Sequence, residues 1–171
     1  MGNLPRNYIL KKGERDFPVV YAVPKIDLPK WLTFPATEEL ESIFKTKNYK
    51  LQTWGRSKDK KGKTILENDA HWIAVKGTTP MHNDPKYPRF SHHLKLRVDG
   101  DVYVRGIGKQ KLQLQRGTYY VLDTHSPHQV VAASSDLWNV AISVDSNFVL
   151  NPKETVKKCL MFAANSGQLQ K

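Results

Sequence analysis

Two short stretches carry the residues whose types and spacing suit chemistry: Pro80-Met81-His82-Asn83-Asp84-Pro85 and Asp123-Thr124-His125-Ser126-Pro127-His128-Gln129-Val130. In extended chain the side chains at i and i+2 point to one side, so the His82 imidazole and the Asp84 carboxylate can grip one ion from a single strand. A third ligand must come from elsewhere. His128 offers it, beyond several strand-like segments that can fold back beside the first pair, and His125 is a rival that spacing alone does not eliminate. Two imidazoles and one carboxylate on one face of an octahedral ion leave the opposite face open, and on Fe(II) those positions take a cosubstrate and O2 together. The same donors with a water also make an acceptable catalytic zinc site. Against both stands a polar turn, since Pro80 and Pro85 bracket the pair.

The remaining candidates are weaker. His92 and His93 follow the first ligands too closely to be the distant third, and one of them is expected to face substrate or solvent. His71, beside Trp72 in an apolar run, reads as a satisfied core or surface histidine. Trp54, Trp72, Trp138 and the Tyr119-Tyr120 pair read as packing, although an aromatic at a barrel mouth can stack on a base. Cys159 has no neighbouring activator in the sequence, and no glycine-rich loop is built to cradle phosphate.

Positioning the two stretches takes a sheet that folds back on itself. His92 to Val98, Asp101 to Arg105, Lys111 to Gln115, Thr118 to Asp123, His128 to Ala133 and Leu137 to Val144 read as short strands, several alternating apolar and polar residues. Asp99-Gly100, Gly106 to Gly108, Arg116-Gly117 and Ser134 to Asp136 supply the turns. Upstream, Tyr49 to Gly55 and Thr64 to Val75 add two strands, and Phe17 to Val23, bounded by Pro18 and Pro24, reads as an edge strand. The pattern predicts a mainly β barrel or jelly roll of antiparallel strands. One flanking helix is predicted from an N-cap at Thr37, with Leu40, Ile43 and Phe44 at helical spacing. Another opens at Asn151-Pro152-Lys153-Glu154 and carries Val156, Cys159, Leu160 and Ala163 as its apolar stripe. No linker or repeat interrupts the chain, which is read as a single domain over 1–171 with a core at about 49–146 and flanking wraps at 1–48 and 147–171.

The net charge of +11 points to a polyanionic partner, nucleic acid first, or an acidic protein. Arg56, Lys58, Lys60, Lys61 and Lys63 crowd one predicted hairpin loop, which on its own reads more readily as a solvated turn. Polyanion affinity is expected to fall steeply between low and physiological salt, and to weaken when Lys58, Lys60, Lys61 and Lys63 are neutralised together. A salt titration with a flat response would remove the idea. No apolar run approaches the ~18 to 20 residues of a membrane span, and Met1 to Leu10 lacks a signal-peptide core. With Cys159 alone and no internal disulfide to form, a reducing, cytoplasmic location is expected.

With His82-x-Asp84 opening a strand series, and Gly117-Thr118-Tyr119-Tyr120-Val121-Leu122-Asp123-Thr124 leading into Ser126-Pro127-His128-Gln129-Val130, residues 70–146 resemble the Fe(II)/2-oxoglutarate-dependent dioxygenase superfamily. The resemblance implies a double-stranded β-helix of about eight antiparallel strands. It also implies Fe(II) and 2-oxoglutarate as cofactors, and His82, Asp84 and His128 as ligands and catalytic centre of a hydroxylase. Its substrate is unidentified, with nucleic acid suggested by the charge. The cupin group shares this barrel, and the interval from Gly117 to His128 equals that of its second motif. Its first motif requires His-x-His and a later Glu, which Asp84 does not satisfy.

Members of the superfamily usually carry an Arg shortly beyond the last His, paired with the far carboxylate of 2-oxoglutarate. Here Trp138 and Asn139 stand in that place, and no Arg follows Arg116. Some branches use a Lys from a middle strand instead. Alternation on the strand from His92 to Val98 puts His93, Lys95 and Arg97 on one face. Arg97, whose fork fits a carboxylate, is expected first as the anchor, then Lys95, then Arg105 on the next strand. The missing Arg leaves open a different class, a non-catalytic jelly roll that binds nucleic acid or an acidic protein through its basic surface.

Overall fold

The structure, a computed structural model, describes residues 4–5, 7–32, 50–54 and 70–165. Its strands are β1 (Val19–Val23), β2 (Lys50–Trp54), β3 (Ala70–Lys76), β4 (Phe90–Val98), β5 (Val102–Arg105), β6 (Lys111–Gln113), β7 (Tyr119–Asp123), β8 (Gln129–Ala132) and β9 (Trp138–Ser146). They are followed by helix α1 (Pro152–Asn165). Every strand pairing is antiparallel. One sheet of six strands runs β1-β7-β4-β9-β3-β2, and a second of three runs β6-β5-β8. The fold is mainly β, a jelly roll, with β1 on the sheet edge that its flanking prolines call for.

The large sheet is buried on both faces, which explains why β7 and most of β4 and β9 lie out of solvent along their length. Its outer face carries Trp72, Leu94, Leu96, Val121 and Ile142 against Cys159 and Ala163 of α1. Trp72 meets the Phe162 ring at 5.9 Å. The inner face joins Tyr120 and Leu122 to Val102 and Val104 of the small sheet. Helix α1 starts where Asn151 Oδ1 accepts the Glu154 amide at 3.2 Å, an N-cap, and Pro152 supplies a first-turn residue with no amide to satisfy. Gly117 makes the turn into β7 at φ +95°, with its carbonyl accepting the Ile26 amide at 2.8 Å. A Cβ there would sit 2.6 Å from the Ile26 carbonyl oxygen, so this crossing admits only glycine.

One register feature overturns an expectation. A bulge falls between Lys95 and Arg97, so Lys95 pairs with Ala141 and Arg97 already with Val140. Beyond it the alternation slips by one. Leu94 and Leu96 face the helix side as expected, but Val98 turns to the inner core with Val130 and Leu137. Lys95 and Arg97 therefore do not share a direction. The helix expected from Thr37 and the basic loop from Arg56 to Lys63 lie outside the described residues. Among the described residues no helix is long and apolar enough to cross a membrane.

Candidate metal centre

The segments bearing the two motifs are zipped together by backbone. The His82 amide donates to the His128 carbonyl at 3.1 Å, the His128 amide to the His82 carbonyl at 2.8 Å, and the Asp84 amide to the Thr124 carbonyl at 2.8 Å. This bridge brings His82, Asp84 and His128 together, with one candidate ligand atom from each lying within 4.8 Å of the others. His82 Nδ1 donates to the Pro80 carbonyl at 2.7 Å, and His128 Nδ1 to the Ser126 carbonyl at 2.9 Å. The Nδ1 proton of each imidazole is thus fixed, so the neutral ring presents its lone pair on Nε2. Those Nε2 atoms stand 3.5 Å and 3.3 Å from Asp84 Oδ2. His125 instead sends Nε2 to the Tyr87 carbonyl at 2.8 Å, so geometry selects His128 over its rival.

The three residues fit a cation. Separations of this size match the edges spanned by ligands bound at about 2.1 Å. His82 Nε2 and Asp84 Oδ1 are buried without a hydrogen-bond partner, a costly state that a bound ion would relieve. Burial opposes charge on both residues. His128 and His82 nevertheless hold the Asp84 carboxyl well below its usual range, and Asp84 with the Pro80 carbonyl lifts His82 above the usual imidazole value. The carboxylate is ready for a metal, while His82 must give up its competing proton.

Behind the ligands, Asp123 organises both loops. It is buried, accepts from Arg89 Nη2 and Ser126 Oγ at 3.1 Å each, and lies 3.4 Å from Arg15 Nε. The His125 amide adds a 3.1 Å bond. The N-terminal segment straps the other side: Glu14 Oε2 accepts Asn83 Nδ2 at 3.1 Å, and the Arg15 amide donates to Ser126 Oγ at 2.8 Å. Both arginines keep water contact, so removal of Asp123 costs mainly through the inner donors it strands. Asp123→Ala is expected to lower stability by about 2–3 kcal/mol in urea denaturation and to weaken metal binding with it. A loss below about 0.5 kcal/mol, the range of ordinary surface changes, would show that these loops hold without the hub.

The cluster opens on a cavity of about 430 Å³ between the sheets. Lys95 reaches it from β4, 2% exposed, with Nζ donating to Asn139 Oδ1 at 2.7 Å and lying 5.6 Å from the Tyr120 ring centre. Asn139 Nδ2 is buried with no hydrogen-bond partner. Burial pulls the Lys95 ammonium down to about 7. Arg97, expected first as the anchor, does not line the cavity. The bulge turns it away, and its guanidinium grips Asp99 through two bonds of 2.9 Å. Arg105 is exposed on β5, bonded to Gln129 Oε1 at 2.9 Å.

The remaining histidines divide between the two faces of the sheet, His71 buried as expected and one of the His92–His93 pair turned to the cavity. His93 and His71 are both buried and line the cavity, whereas His92 faces the helix side, its Nδ1 2.7 Å from the Tyr119 hydroxyl, where burial lowers its pKa to about 4. Ser91 and Asp145 also line the cavity and carried no expectation. The available signal was Ser91, His93 and Lys95 at period two in one strand. Cys159 is buried against the sheet with its thiol pushed up to about 12, so it stays protonated.

No family model matches the chain, and no curated protein sequence matches it significantly. Among solved structures, a cupin-2 domain protein from Shewanella frigidimarina aligns at 14% identity and a TM-score of 0.41, over 65% of this chain and 93% of its own. A cupin 2 domain-containing protein from Halorhodospira halophila gives 14%, 0.37, 69% and 82% for the same quantities. An RmlC-like cupin from Desulfovibrio desulfuricans gives 16%, 0.36, 56% and 79%. The neighbours are double-stranded β-helix proteins of the cupin kind. With every score below 0.5, the fold assignment rests on the strand pairing above, and nothing about this chain's chemistry is taken from them.

Proposed function

We propose that the protein is a non-haem Fe(II) oxygenase with 2-oxoglutarate as cosubstrate, in which His82, Asp84 and His128 hold the metal and Lys95 anchors the cosubstrate. One observation carries the reading: a His/Asp/His set and a buried lysine face the same cavity, and among the described residues no carboxylate lies in ion-pair range of that lysine. A buried ammonium without a counter-ion is costly. A dicarboxylate bound at the metal by one end would satisfy it with the other. Asn139 orients Nζ through Oδ1 and offers Nδ2 as a second donor to the same carboxylate, the work usually done by an arginine fork.

The chemistry that such a metal and cosubstrate supply is hydroxylation of a substrate carbon with decarboxylation of 2-oxoglutarate to succinate. The chain positions the partners. The Pro80 and Ser126 carbonyls fix the imidazoles, Asp84 supplies the charge that a divalent ion needs, and Ile73, Val75 and Val104 give the cavity part of its apolar lining. The test is succinate formation from 2-oxoglutarate by the Fe(II)-loaded protein in air, without added substrate. Absence of turnover together with absence of 2-oxoglutarate binding would overturn the reading.

A second reading, a barrel that only binds a polyanion, is favoured by the net charge of +11. Tight polyanion binding that survives Asp84→Ala, without any 2-oxoglutarate turnover, would select it.

A further inference from the structure

The outer face of the small sheet sets two cations side by side. Val102 and Val104 of β5 point into the core, so Tyr103 and Arg105 point outward. The register places Arg105 between Lys111 of β6 and Gln129 of β8, and Tyr103 between Gln113 and Val131. Arg105 and Lys111 are thus direct cross-strand neighbours, both exposed, and like charges so placed destabilise a sheet. Among the described residues neither makes an ion pair. Asp101, at the other end of β5, accepts from Gln113 Nε2 at 2.7 Å. Both cations are nevertheless held in place. Gln129 Oε1 accepts Arg105 Nε at 2.9 Å while its own Nε2 donates to the Thr79 carbonyl at 2.9 Å, and Lys111 Nζ lies 4.6 Å from the centre of the Tyr103 ring. Among the described residues the two terminal nitrogens of the Arg105 guanidinium have no partner. A fork tethered through Nε beside a fixed ammonium suits an oxyanion that meets both.

We propose that this face binds the phosphate backbone of double-stranded nucleic acid without reading its sequence. Neither cation lines the cavity, so the anion is met on an open surface, where a polymer that repeats its charge gains more than a small anion. A single strand would need aromatic faces for its bases to stack on, and Tyr103 has Lys111 over its ring. An acidic protein would need an apolar centre to bury, and the two rows offer only Val131 beside that covered ring. Phosphate contacts hold a duplex in place but carry no sequence information. The net charge of +11 draws the polyanion towards the chain, and Arg105 with Lys111 gives it a place to settle. Gln129, at the end of the Arg105 row, follows His128 in the chain and also lines the cavity, which sets the face beside the metal centre without making it depend on one.

The experiment adds protein to a fluorescein-labelled DNA duplex of mixed sequence and follows fluorescence anisotropy at about 0.1 M salt, where charges more than ~10 Å from a phosphate are largely screened. Arg105→Gln combined with Lys111→Gln is expected to weaken binding at least ~10-fold and to reduce the slope of log affinity against log salt by about 2, one for each lost phosphate contact. Arg105→Lys keeps the charge and loses the fork, so it should weaken binding by a smaller factor with the slope unchanged. Lys153→Gln combined with Lys157→Gln removes the same charge from exposed positions on α1, behind the large sheet, and should change affinity less than about twofold. A duplex of different sequence should bind equally. No binding by the native protein, or equal losses in the sheet and helix variants, would overturn the proposal. So would displacement of the duplex by poly-L-glutamate or single-stranded DNA at lower concentration than by unlabelled duplex. Neither metal, 2-oxoglutarate nor turnover enters the readout, so its failure and that of the oxygenase reading are told apart.

Discussion

Asp84→Ala is expected to reduce Fe(II) affinity by at least about 100-fold, since losing a direct ligand costs more than the ~10 to 100-fold typical of its supporting contacts. Asp84 is the only anion in the set and lies within 3.5 Å of both imidazoles. Without it, two neutral nitrogens face a divalent ion. Under anaerobic conditions the native protein with Fe(II) and 2-oxoglutarate should develop a weak visible charge-transfer band, and both Asp84→Ala and His82→Ala should lack it. No band in the native protein would count against the cosubstrate. Retention of full metal affinity in Asp84→Ala would sink the centre itself. A pH titration adds an independent check. Asp84 and the Pro80 carbonyl lift the His82 pKa above 6.5 against the effect of burial, so protons compete with metal up to and beyond that pH. Affinity should rise with pH through this region and level off once His82 is neutral. A flat profile would mean that His82 is not a ligand.

The fold was legible because its signals are local. Period-two alternation, Gly117 with its positive φ, the Asn151-Pro152 cap and the Pro18 and Pro24 edge each act within a few residues. Most strand bounds agree with the reading to within a residue or two; β6 ends at Gln113 rather than Gln115, and the part of the β3 reading from Thr64 to Asp69 lies outside the described residues. The proximity of His82, Asp84 and His128 was legible for the same reason, since their types are rare and their segments are extended. The choice of His128 over His125 was not, because it depends on a backbone bridge between distant residues. The direction of Arg97 was misread because strict alternation has no place for a bulge, and nothing in Leu94-Lys95-Leu96-Arg97-Val98 marks one. Asp145 and Asp123 were passed over because a single carboxylate in a strand or at its end carries no pattern. What each touches is set only by the folded chain, Ser91 for one and Arg15, Arg89 and Ser126 for the other.

Lys95→Met is expected to weaken 2-oxoglutarate binding by about 2 kcal/mol or more, roughly 30-fold, when measured with Mn(II) in place of iron. The loss follows from the surroundings of Lys95: among the described residues no other lysine or arginine lines the cavity, since Arg97 turns to Asp99 and Arg105 is outside. Arg97→Met and Arg105→Met should bind like the native protein. Stability should respond in the opposite sense. Lys95 is desolvated with a neutral amide and the Tyr120 ring as its partners, so a methionine of similar length should leave the melting temperature unchanged or raise it. Weaker cosubstrate binding without lost stability is the signature of an anchor rather than of a packing residue. The pH dependence gives the same answer by another route. With the Lys95 pKa lowered to about 7 by burial, the side chain is charged below that pH and must take up a proton to pair with a carboxylate above it. Affinity should hold steady below pH 7 and then fall by up to about tenfold per unit as the pH rises. The methionine variant has no such proton to gain, so its affinity should stay low and flat across the same range. If native and Lys95→Met proteins bind 2-oxoglutarate equally with identical pH profiles, Lys95 is not the anchor, and the case for this cosubstrate falls with it.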